Sequence, residues 1–141
     1  MSNLQKNSLH AGDLRPFQVN GYVDGYKNGS AVSKMVEWLV DTGASVSVVT
    51  KNVGDLFDLT PTGASANATT GGAGIMMNTG LSVEFTVRNP AGNDFVHQSA
   101  TLDVGKKPDN SGSEVLGMDQ VAAVGAGVVW DPKSGTGDVR Q

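Results

Sequence analysis

The chain has 141 residues, of which 38% are hydrophobic and 19 are glycine; it has no cysteine and a formal net charge of −4. That length suits one domain around one core. The mild acidity argues against a nucleic-acid grip, and the missing cysteines remove any disulfide framework, zinc–thiolate site or cysteine nucleophile. No apolar run approaches the roughly 18 residues that span a bilayer. Met1 to Asp13 carries no charged-then-apolar leader pattern, and the compartment stays open.

Residues 1–15 are polar and aperiodic and read as a loose arm ahead of one domain over 16–141. Phe17 to Val23 alternates as a half-buried strand does. Lys27-Asn28-Gly29-Ser30 is turn chemistry, because Asn-Gly tolerates positive φ. Ala31 to Val40 then returns as the partner strand and delivers Asp41.

Around Asp41 the pattern changes. Trp38-Leu39-Val40 and Val46 to Thr50 read as buried strands, with Asp41-Thr42-Gly43-Ala44-Ser45 between them. A carboxylate so placed is costly unless it is hydrogen-bonded or shares its charge with a proton. The sequence therefore predicts a cramped, poorly solvated turn, the kind of place where a functional carboxylate is expected. The competing reading is a structural turn Asp that bonds its own backbone.

Pro61 to Gly80 is polar and rich in Gly, Ala and Thr, and reads as a flexible surface loop, with a glycine-rich phosphate loop as the other candidate. A phosphate loop is excluded, since no Lys-Ser or Lys-Thr follows the glycines. Leu81 to Val87 alternates cleanly, with Leu81, Val83, Phe85 and Val87 on one face. Asn89 to Asn93 is a turn and Phe95 to Val104 the return strand. Lys106 to Gly112 is an exposed loop and Glu114 to Leu116 a short strand. Met118 to Val124 is the one convincing helix, stopped by Gly125; Leu116, Val121 and Val124 should pack under the Asp41 turn. Val128 to Trp130 and Gly137 to Val139 suit a last hairpin around residues 132–135. The fold class is all-β.

Other candidates are weaker. Ser45 and Ser47 lack the second glycine of a nucleophile elbow. His10 and His97 fall in the arm and in a strand and make no metal site. Trp38 and Trp130 read as core or interface aromatics, and Asp119 as a helix-start carboxylate favoured by the dipole.

Leu39-Val40-Asp41-Thr42-Gly43-Ala44-Ser45 resembles the catalytic loop of aspartic proteases, and its single copy in a short chain resembles the retropepsin-like branch. Val115-Leu116-Gly117-Met118-Asp119 is similar to the two-hydrophobics-then-glycine segment that underlies that loop, ahead of a short helix. The resemblance implies a closed, barrel-like all-β monomer with one short C-terminal helix. It implies an endopeptidase with no cofactor and no metal, in which Asp41 is catalytic and Thr42, Gly43 and Ala44 form the active-site loop. Thr42 would hydrogen-bond across a dimer and Gly43 would bring backbone close to the acids. A flap near Thr70, Gly71, Gly72, Ala73 and Gly74 would cover bound peptide, with Ile75, Met76 and Met77 as its apolar underside.

Aspartic proteolysis uses two carboxylates that share one proton. This chain supplies one Asp-Thr-Gly, so the partner is a second copy in a homodimer and the substrate a peptide or protein, in limited or polyprotein processing. Two departures stand out. Ser45 and Met118 are neutral where many retroviral members pair Asp with Arg, and the tail past the helix is longer, closer to cellular retropepsin-like domains. Ala44, in place of a hydroxyl residue, implies a mildly acidic optimum. The alternative is a peptide-binding or dimerisation module that does no chemistry.

Overall fold

The computed structural model describes residues 17–67, 74–91 and 95–141. The arm over 1–15 lies outside them. The chain opens on a long antiparallel hairpin of β1 (Gln18–Lys27) and β2 (Ser30–Val40), in register from Gln18 opposite Leu39 to Lys27 opposite Ser30. Asn28 (φ 51°) and Gly29 (φ 80°) close it, a two-residue turn whose left-handed backbone matches the strands' twist. The first strand thus runs four residues past the expected Val23.

After β2 come β3 (Val48–Val49), the one-turn helix α1 (Lys51–Gly54), β4 (Thr60–Asn67), β5 (Gly74–Thr79) and β6 (Ser82–Arg88). They are followed by β7 (Phe95–Ala100), β8 (Val104–Lys106), β9 (Val115–Leu116), α2 (Met118–Ala123), β10 (Gly127–Asp131) and β11 (Thr136–Arg140). The fold is all-β, as expected. The hydrogen-bonded path runs β10-β11-β6-β1-β2-β9-β3-β8-β5-β4, with β7 also on β6. Its ends, β10 and β4, do not pair with each other, so the expected barrel-like closure is not completed by a ladder among the described residues. The strands still share one contiguous core, to which β1, β2, β3, β6, β8, β9, β11 and both helices contribute.

The clean alternation of β6 is realised in full: Leu81, Val83, Phe85 and Val87 are all buried against Trp38 and its neighbours. Trp38 also donates its indole N–H to the Glu84 carbonyl at 3.0 Å, so the buried ring carries no orphan donor. α2 ends in a left-handed Gly125 (φ 69°). The Ala126 N–H bonds Val121 O at 3.1 Å and the Gly125 N–H bonds Ala122 O at 3.0 Å, the paired bonds of a glycine-terminated helix.

Three expectations are corrected. The exit strand Val46 to Thr50 shortens to Val48–Val49, because Thr50 becomes the N-cap of α1 and gives its N–H and hydroxyl to the Glu114 carboxylate. α1 itself has no periodicity to announce it. Its first N–H groups are satisfied by a distant loop, Lys51 N–H by Asp109 O and Asn52 N–H by the Asn110 side chain. Finally, the return strand from Phe95 breaks after Ala100: β7 pairs β6, whereas β8 pairs β3 and β5.

Candidate active site

β2 leads into residues 41–47, and β3 leads out. Between β2 and β3 lies β9, parallel to β2 (Leu39 opposite Val115, Val40 opposite Leu116) and antiparallel to β3 (Val48 opposite Val115). A loop that leaves one strand and returns two places across the sheet is held at both ends by the strand between them. Val40, Val48, Val49 and Leu116 are buried beneath it. The apolar flanks predicted around Asp41 are therefore present.

The environment of Asp41 itself is corrected. Asp41, Thr42 and Gly43 are exposed in the single chain, and Ala44 is half-buried; the carboxylate stands at the outer end of the turn, in reach of water. Asp41 Oδ1 accepts the Gly43 N–H at 2.9 Å, and Asp41 O accepts the Ala44 N–H at 3.1 Å. The side chain thus does perform the backbone-bonding duty of a structural turn Asp, while its Oδ2 carries no bond from any described residue.

The second sequence motif lies against the loop as expected. Asp41 N–H donates to Leu116 O at 3.1 Å and Met118 N–H to Ala44 O at 2.9 Å. Ser47 is fully buried. Its hydroxyl donates to Asp119 Oδ1 at 2.9 Å and accepts the Gly117 N–H at 2.8 Å, and its own N–H reaches Asp119 Oδ2 at 3.2 Å. That rules Ser47 out as a nucleophile, since its hydroxyl is committed. Gly117 is required by proximity: a Cβ there would lie 2.5 Å from the Val46 carbonyl carbon and oxygen. Ser45 is exposed and Met118 half-buried, so the bracing of the loop falls to backbone bonds and to the Ser47–Asp119 pair. Sequence reasoning gave Asp119 only a helix-start role; its partnership with Ser47 spans 72 positions and leaves no local signal.

β4 and β5 form a hairpin, with Asn67 opposite Gly74 and an irregular register between Pro61 and Ser65. Of the five residues expected in a flap, Thr70, Gly71, Gly72 and Ala73 lie outside the described residues; Gly74 is the exposed first residue of β5. The expected apolar underside is divided. Ile75 and Met77 point inward and are buried, close to where a Cβ on Gly105 would stand, while Met76 is 53% exposed on the opposite face. His97 stands 3.5 Å from Glu84 on the sheet surface, and His10 lies outside the described residues. No cluster of potential metal ligands occurs among the described residues, and no helix among them is long and apolar enough to cross a membrane.

The chain is similar to a solved structure of EIAV protease complexed with the inhibitor HBY-793. The two share 18% identity over 92% of this chain and 98% of that one, with a TM-score of 0.45. No family model matches, and no curated protein matches.

Proposed function

We propose that the chain is one half of an aspartic endopeptidase whose active site is completed by a second copy. The observation that carries this reading is the state of Asp41. It is a single Asp-Thr-Gly acid on a loop backed by buried strands, exposed as a residue and held at one oxygen by the Gly43 N–H. An outward carboxylate on a braced loop is what a site shared across a two-fold axis requires of each half.

In the assembled site the two Asp41 carboxylates would stand about 3 Å apart and share one proton, because like charges that close resist joint ionisation. The ionised acid takes a proton from a water held between them. The water oxygen bonds to the peptide carbonyl carbon, and the protonated acid hydrogen-bonds the developing oxyanion. Collapse of the tetrahedral intermediate breaks the C–N bond, and the amine leaves with a proton from the dyad. Thr42 ties the two loops together, Gly43 admits substrate backbone close to the acids, and the β4–β5 hairpin with residues near Thr70 to Gly74 covers an extended peptide. No metal or cofactor takes part.

A second reading is favoured by one observation: the bonds of Asp41 to Gly43 and Ala44 already give it a complete structural duty. On that reading the chain is a peptide-binding or dimerisation module. Asp41→Asn separates the two, because an amide oxygen still accepts the Gly43 N–H while the acid is gone. The protease reading predicts that cleavage of a peptide library disappears with the fold intact. Cleavage that persists in this variant contradicts it.

A further inference from the structure

We infer that Asp119 is a positioning residue for the Asp41 loop, acting through Ser47; this rests on the protease reading above. The loop over residues 41–47 makes only two bonds within itself, Gly43 N–H and Ala44 N–H to Asp41. Apart from the Gly105 N–H, which donates to Ser47 O at 2.9 Å, the other bonds that locate it come from residues 116–119. Leu116 O takes the N–H of Asp41 at the entry, and the Met118 N–H holds Ala44 O in the middle. At the exit, Asp119 takes both the N–H and the hydroxyl of Ser47, whose oxygen then accepts the Gly117 N–H.

The residue type at 119 is specified by this arrangement. Ser47 presents two donors to residue 119 and uses its acceptor on Gly117. A carboxylate accepts one donor at each oxygen, whereas a side-chain amide replaces one of those oxygens with a donating NH2 group. Asp119→Asn therefore leaves either the hydroxyl or the N–H of a fully buried serine without a partner, a costly state inside a protein. The Gly117 contact with Val46 leaves no room for a Cβ between the two segments, so they cannot close up on one another. Movement of Asp119 is thus passed to Ser47, and from there along the loop toward Asp41. Displacement of a reacting group by about 1 Å costs on the order of 100-fold in rate, so a clamp remote from the chemistry acts on turnover rather than on peptide affinity.

The test uses the whole chain with Asp119→Asn, which keeps the volume, and Ser47→Ala as a second variant in case the first folds poorly. The clamp predicts that Asp119→Asn lowers kcat by about tenfold or more while KM moves by less than about threefold. It predicts that adding Ser47→Ala costs little beyond the worse single variant, because the two residues act as one unit. Amide hydrogen exchange at Ala44, Ser47 and Met118 should quicken at least about tenfold, with β6 unchanged. Wild-type turnover together with wild-type exchange in Asp119→Asn overturns the clamp and leaves the protease reading standing. A wild-type chain that cleaves nothing overturns the protease reading and with it the positioning role, and the exchange data then show only whether the loop is held as described.

Discussion

Asp41 is exposed in the single chain, and that fact shapes what its substitution should do. Its Oδ1 bond to the Gly43 N–H survives in Asp41→Asn. We expect thermal stability within a few degrees of wild type, with peptide cleavage lowered by about 1,000-fold or more, since the acid–base chemistry has no substitute. Gly117 tests the loop from below. The Cβ of Gly117→Ala would meet the Val46 carbonyl at 2.5 Å, and overpacking of this kind costs about 1–3 kcal/mol in a denaturant titration; an unchanged midpoint would show that the two segments have room to separate. Asp55, at the C-terminal end of α1, titrates well away from the site. Its bonds to Lys106 and Lys51 lower its pKa from 3.8 to about 2. The folded value lies below the unfolded one, so the stabilisation is present above about pH 4 and fades as pH falls through about 2. The group is on the surface, so the effect is small and weakened by salt. Carboxyl NMR should show Lys106→Met moving the Asp55 titration back toward its ordinary value; no movement would mean that Lys51 alone suffices.

At the scale of elements, what could be read in advance is what local pattern dictates. The alternation runs over Leu81, just before β6, and Val83, Phe85 and Val87 within it, and all four are buried. Asn28-Gly29 and Gly125 sit where left-handed backbone is needed. The last hairpin turns on Asp131, whose carboxylate takes the Lys133 N–H and the Ser134 hydroxyl. What stayed hidden depends on partners far along the chain. α1 exists because residues 109 and 110 cap it, and the return strand breaks after Ala100 because β8 joins different neighbours from β7. The candidate site divides in the same way: Asp41 and the Leu116-Gly117 segment stand out as motifs, but the Ser47–Asp119 clamp crosses the fold. Within α2, Gln120 is fully buried, and neither polar atom of its side chain finds a partner among the described residues. An unpaired buried amide costs stability, so Gln120→Leu should stabilise the chain by about 1–2 kcal/mol. A loss of similar size in thermal unfolding would show that the amide is engaged.

The whole molecule offers an open sheet whose path ends at β10 and β4, and a loop that presents one acid outward. The proposed sharing of the site between two copies predicts activity that falls on dilution faster than the amount of chain, since the catalyst would be the pair. The burial that the sequence predicted around Asp41 would then come from the partner and substrate rather than from the chain's own fold. This is a physical reason why an acid expected to be poorly solvated stands exposed in one copy. The most direct test is a mixing experiment at constant total chain concentration, with wild type and Asp41→Asn chains exchanged to equilibrium at equal amounts. If each site needs an acid from both copies, random pairing leaves about one quarter of the wild-type cleavage rate. A residue of about one half, as for sites complete within a single chain, would contradict the account.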